Sequence, residues 1–182
     1  MVYVFILLTL LLIVGPIIAI LPTARQKERM KMRMAARAVG VSVELTAIND
    51  PNEKQLGGVI EIGRRLSSTL KVVCYRLQRK RVNEGRYLSR QSWCMFRDSD
   101  NTWQWDQSFN SAVSKEFQAW VALVSSKLPD DVVQIKEENF NISLYWHEAI
   151  QGDEKVVLKF LQDCEKFLQV ESEGQKTLQE NA

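Results

Sequence analysis

Histidine is nearly missing from this 182-residue chain, His147 being the single one. That excludes metal centres built on histidine and most nucleophile–histidine triads. His147 falls on a predicted strand, opposite in direction to Trp146, where it faces solvent. Cysteine is scarce as well: Cys74, Cys94 and Cys164 have no metal-ligand spacing, and an odd number makes no disulfide framework. They read as thiols of a reducing compartment. Gly58-x-x-x-x-Gly63-Arg64-Arg65 lacks the Lys-Ser/Thr pair with which a phosphate loop holds phosphate and magnesium. No internal repeat or low-complexity tract is present. These absences leave no catalytic motif, metal set or cofactor motif, and the chain reads as a non-enzyme without a cofactor.

Charge is absent from one long stretch, Val2 to Leu21. Twenty helical residues rise about 30 Å, the thickness of a bilayer's hydrocarbon core, so 2–21 is expected to be a transmembrane helix. Nothing basic precedes Val2, the apolar run is long, and Pro22-Thr23-Ala24 is a poor cleavage site, which favours a retained anchor over a cleaved signal peptide. Arg25, Lys27, Arg29, Lys31, Arg33 and Arg37 follow, against the single acid Glu28. By the positive-inside rule that flank is cytoplasmic and the N-terminus faces out. The expectation is a single-pass protein of a bacterial inner membrane with a cytoplasmic domain over 41–170.

The charge that is present is unevenly placed. Net charge is +2, but residues 1–97 carry +11 and residues 98–182 carry −9. A basic half nearest the membrane suits anionic headgroups. Residues 22–39 are rich in good helix formers, and Arg25, Arg29, Arg33 and Arg37 repeat at i, i+4 as a basic stripe beside Met30, Met34 and Ala38. This segment is expected to continue the membrane helix and to end at Gly40. The stripe is a candidate contact for lipid or for a protein partner.

Beyond Gly40 the pattern changes. Val41–Ile48 alternates as a strand. Segments 71–81 and 86–97 read as a hairpin about Asn83-Glu84-Gly85, which sets Cys74 opposite Cys94 and lines Val73, Tyr75 and Leu77 against Trp93 and Met95. After the turn at Asp98–Asn101, Thr102–Trp105 returns as a further strand. Phe109, Val113, Phe117, Trp120, Val121, Val124 and Leu128 fall at helical spacing, and Pro129 stops that helix. A second hairpin, 132–137 and 140–148, turns at Glu138-Asn139, so that Ile135 faces Ile142 and Val133 faces Leu144, with Phe140, Ile142, Leu144 and Trp146 on one face. Asp153 caps a last helix whose stripe is Val156, Val157, Phe160, Leu161, Cys164, Phe167 and Leu168. Residues 171–182 form a polar, flexible tail. The fold class is α+β: a largely antiparallel sheet with two amphipathic helices over one face.

The acidic pairs Asp130-Asp131, Glu137-Glu138 and Asp153-Glu154 lie at turns or a helix start and read as solvated or capping groups. The first hairpin crowds Arg76, Arg79, Lys80, Arg81, Arg86, Arg90 and Arg97 among Tyr75, Tyr87 and Trp93. Arg79, Lys80, Arg81 and Arg86 are the candidate contacts for an anionic ligand such as single-stranded nucleic acid. Against the stacking part of that reading, the five tryptophans fall mostly on apolar faces, at least three of them expected in the core.

Leu21-Pro22 followed by Arg25-Gln26-Lys27-Glu28-Arg29 resembles the small YajC-like accessory subunit of the bacterial preprotein translocase, over about a fifth of the chain. That family has one N-terminal membrane helix, then a proline and a Gln/Lys/Arg-rich cytoplasmic helix. The chain departs from it after Val39, where the family's glycine-rich β-domain pattern does not follow. The resemblance implies a non-catalytic membrane protein that binds protein partners, translocase subunits among them. The alternative class is a membrane-tethered binder of nucleic acid or another anionic ligand through 71–97.

Overall fold

The computed structural model describes residues 2–20, 23–52, 68–79, 92–109, 113–149 and 154–180, and side chains within these except 15–20 and 171–180. The chain forms two compact units, Met1–Ala35 and Ala36–Ala182.

The first unit holds helix α1, Val2–Ile20, and most of helix α2, Ala24–Ala38. Helix α2 does not continue α1, contrary to expectation. It starts afresh at a capping box: the Gln26 side chain accepts from the Thr23 amide at 2.9 Å, and the Thr23 hydroxyl accepts from the Gln26 amide at 3.3 Å. Two orphan donors are thereby satisfied reciprocally. At the other end, Gly40 terminates the helix as expected. Its φ of 85° lets the Val41 amide reach the Ala36 carbonyl and the Gly40 amide reach Arg37, both at 3.0 Å. This is a Schellman closure, with buried Val41 and Ala36 as its apolar contact.

Among the described residues no helix is long and apolar enough to cross a membrane. A span over the whole of 2–21 is thus not established by the described fold.

The second unit is α+β, as expected. Strands β1 (Ser42–Asn49), β2 (Thr69–Gln78), β3 (Trp93–Arg97), β4 (Trp103–Trp105), β5 (Val132–Glu138) and β6 (Asn141–Trp146) make one sheet, ordered β1-β2-β6-β5-β3-β4. Every neighbouring pair is antiparallel. Helices α3 (Lys115–Ser125) and α4 (Glu154–Glu180) lie over one face.

The order corrects the first hairpin. β2 and β3 are not neighbours, because β6 and β5 stand between them. Cys74 pairs with Glu44 and Tyr145, and Cys94 with Lys136. The proposed turn at Asn83–Gly85 lies outside the described residues. The assignment of faces is nonetheless right: Val73, Tyr75, Leu77, Trp93 and Met95 all point to the helices, joined through Trp146, Leu144, Ile142 and Ile135 of the intervening strands.

The second hairpin forms with its register moved by two residues. Asn139 and Phe140, at φ of 52° and 63°, make the two-residue turn, so Ile135 pairs with Leu144 and Glu137 with Ile142. Two positive φ angles are what a type I′ turn demands, and they take Phe140 off the alternating face. A bulge between Val132 and Gln134 then sets Val133 against Val72, Cys74 and Tyr145 on the opposite face.

Helix α3 is shorter than its apolar spacing suggests. Phe109 stays in a turn held by Asp106, whose carboxylate accepts from the Ser108 amide at 3.0 Å and its hydroxyl at 2.7 Å. Ser114 is the N-cap, its hydroxyl accepting from the Phe117 amide at 3.1 Å. The expected cap Asp153 lies outside the described residues. Helix α4 keeps a helical backbone through Glu180, into the segment 171–182 expected to be a flexible tail.

Glu137 is the largest departure from expectation. It is fully buried, not solvated at a turn, and pairs with buried Arg79. Its second oxygen accepts from Trp93 Nε1 at 2.7 Å, and Arg79 also donates to the Leu168 carbonyl of α4 at 3.1 Å. One carboxylate on β5 thus ties the end of β2, the start of β3 and helix α4 together. Replacing Glu137 by Leu leaves Arg79 buried without its charge partner and is expected to cost about 3–5 kcal/mol. Urea unfolding followed by tryptophan fluorescence will read this, and the double variant Arg79→Met/Glu137→Leu is expected to recover part of the loss, because Trp93 Nε1 still lacks its acceptor.

Candidate functional site

The two helices present more apolar surface than the sheet consumes. On α3, Phe117 and Val121 are buried towards the sheet, Phe117 meeting Trp93 at 5.2 Å between ring centroids. On α4, Val157, Phe160, Leu161, Cys164 and Leu168 are buried. Trp120 and Val124 of α3 and Phe167 of α4 are only half-buried, and Val170 is 68% exposed. These four line an open groove of about 580 Å³ between the helices, completed by Ser114, Glu116, Asp163 and Lys166.

The groove wall is aromatic. Trp120 stacks on Phe167 at 5.1 Å and on Phe160 at 6.4 Å, and Phe167 also meets Phe117 at 5.5 Å. Such rings offer large apolar contact area at little conformational cost. The polar groups sit at the rim, with Glu116 and Asp163 of one sign and Lys166 of the other. Ser114 is occupied as the N-cap of α3. The arrangement suits an apolar segment framed by polar groups; it brings no nucleophile against a general base. Among the described residues no group of three or more His, Cys, Asp or Glu could hold a metal ion.

The residues singled out in the sequence lie elsewhere. Arg25 and Arg37 are exposed on α2, whereas Arg29 and Arg33 are half-buried. Arg37 also donates to the Val43 carbonyl at 3.3 Å. Arg79 belongs to the core, which removes it from any ligand-facing patch; Lys80, Arg81 and Arg86 lie outside the described residues, as do Arg90 and Tyr87. Arg97 is buried too, donating to the Pro129 carbonyl at 2.9 Å and to Asp130 at 3.2 Å below the end of α3, with Trp103 stacked on it at 4.8 Å. Tyr75 is buried and donates to Glu148 at 2.7 Å. Trp93 and Trp146 are fully buried, while Trp103, Trp105 and Trp120 are half-buried. A basic, aromatic ligand face on the described part of 71–97 is therefore not formed. His147 faces solvent as expected.

The sequence carries a signal for the groove that apolar spacing alone does not single out. The apolar stripes of both helices are wider than a single sheet contact needs, and Val170 extends the stripe of α4 past Leu168. Width of that kind leaves a lateral face for a second contact.

No known protein family, curated protein or solved structure matches the chain.

Buried thiols contribute to the alkaline behaviour of this domain. Burial pushes the Cys94 thiol up to about 11 against a Gln134 amide that donates to it, and burial raises Cys74 as well. A raised thiol pKa means that the folded state disfavours thiolate. The stability involved is fully present below pH 9 and is lost as pH rises towards 11, by about 3 kcal/mol for Cys94. Urea midpoints at pH 8, 9.5 and 11 are expected to fall for the parent chain, and less steeply for Cys94→Ala.

Proposed function

We propose that this chain is a non-catalytic, membrane-tethered protein-binding module. Its α1 segment lies in a bilayer, and the groove between α3 and α4 takes an apolar segment of a protein partner. The observation that carries the reading is the exposure of α1. Tyr3 is 85% exposed, Leu12 73%, and Leu7 and Leu11 70% each, with no charged residue among them. In water this would be an apolar surface well beyond what a soluble protein tolerates. The polar group of Thr9 is satisfied within the helix, its hydroxyl donating to the carbonyls of Phe5 and Ile6 at 2.9 Å each. A helix in lipid requires that kind of internal satisfaction.

The sequence stays uncharged to Leu21 and turns basic at Arg25, which favours a bacterial inner membrane with the N-terminus out and the second unit in the cytoplasm. The resemblance of Leu21-Pro22 and Arg25–Arg29 to YajC-like subunits makes translocase subunits the partners to look for. Against the nucleic-acid alternative stand the burial of Arg79 and Arg97 in structural contacts.

The test is gentle solubilisation of crosslinked membranes containing the C-terminally tagged full chain. The protein is expected to stay in the membrane pellet after alkaline carbonate and to bring protein partners with it. Val170→Glu places a charge in the groove and is expected to lower partner recovery about tenfold or more. Leu123→Glu, equally exposed on α3 but outside the groove, is expected to leave recovery unchanged. Release by carbonate overturns the tether, and equal recovery with both variants overturns the groove.

A further inference from the structure

We propose that α2 lies along the membrane surface and that its exposed face, Met30 and Met34 flanked by Lys27, Lys31 and Arg37, docks on anionic lipid headgroups. This rests on the tether proposed above and goes beyond it by naming the surface and its lipid class.

α1 and α2 are separate helices. A capping box at Thr23 and Gln26 makes α2 a separate helix, so its axis is not bound to that of α1. By chain length alone, Ala24 stays within about 15 Å of Ile20, which keeps α2 close to wherever α1 ends. At 3.6 residues per turn, Met30 and Met34 sit about 40° apart on the helix surface. Lys27 and Lys31 fall on one side of that row and Arg37 on the other.

Exposure follows the same division. Met30 is 57% and Met34 58% exposed, and Lys27, Lys31 and Arg37 are exposed, while Met32 on another face is half-buried. Two flexible thioethers at the level of the acyl boundary, with long basic chains spreading to headgroups on either side, is the arrangement of an interfacial helix. The basic flanks match an anionic leaflet in charge. The exposed face uses Lys27 and Lys31, which are not in the i, i+4 arginine stripe.

The experiment uses the full chain in lipid nanodiscs, with a nitroxide on Met34→Cys and, separately, on Leu8→Cys. The three native thiols are buried, so labelling under native conditions favours the introduced cysteine. Accessibility to oxygen and to a water-soluble nickel chelate is compared in phosphatidylglycerol/phosphatidylcholine and in phosphatidylcholine alone. The label at 34 is expected to favour oxygen in the anionic discs. It is expected to become several-fold more accessible to nickel in neutral discs, in high salt, or with Lys27→Glu/Lys31→Glu. Nickel access at 34 that is high and equal in both lipids, with position 8 still buried in lipid, overturns the proposal and leaves the tether standing. Protection at 34 that is indifferent to lipid charge assigns the face to a protein contact and also overturns it. Nickel access at position 8 removes the tether itself.

Discussion

A carboxylate with no solvent contact sets the terms for the second unit. Removing Glu137 from water is costly unless its charge is matched and its lone pairs are engaged. Arg79 and Trp93 meet that requirement from two different strands, and Arg79 spends a further donor on the Leu168 carbonyl of α4. The result is geometric as much as energetic. Apolar contacts tolerate sliding; a buried pair with directional donors does not. It fixes the distance from β2 across to β3 and the placement of α4 over the sheet, and so, through Phe160 and Phe167, the wall of the groove against which Trp120 stacks.

Arg97 performs the matching service at the other end of α3. It reaches the carbonyls of Leu128 and Pro129, which follow the helix, and is covered by Trp103. Two arginines that look, in sequence, like members of a basic patch are consumed in holding helices to the sheet. Among the described residues, the open groove between α3 and α4 is correspondingly apolar.

Local signals were legible where the chemistry is local. Gly40, the Asp98–Asn101 turn and the alternation of Ile142, Leu144 and Trp146 all carry their structural meaning within a few residues, whereas α3 already ends at Ser125, ahead of Pro129. The pairing of β2 with β6 was not legible, because alternation says which side a residue faces and is silent on which strand lies beside it. The same limit produced the two-residue error in the β5–β6 register: Glu138-Asn139 and Asn139-Phe140 are both plausible turns, and a phenylalanine at positive φ is an unusual choice. Sequence alone places Glu137 in solvent, because a charged residue next to a turn is usually solvated. Only the arrival of Arg79 and Trp93 from distant strands makes its burial possible. The groove lies one level further on, since it depends on how much of each helix stripe the sheet covers.

The strand order also has a temporal side. β1 and β2 form one antiparallel ribbon, and β3 and β4 a second, each complete within its own stretch of chain. The two ribbons are not neighbours in the sheet, because the places between them belong to β5 and β6, the last described strands in the chain. That final hairpin must insert as a keystone, with one edge zipping to β2 and the other to β3. Long-range pairing of this kind is slow relative to local hairpins, and it leaves two unpaired sheet edges open until it occurs. The closure at the centre of the sheet is thus assigned to residues that follow both ribbons in the chain.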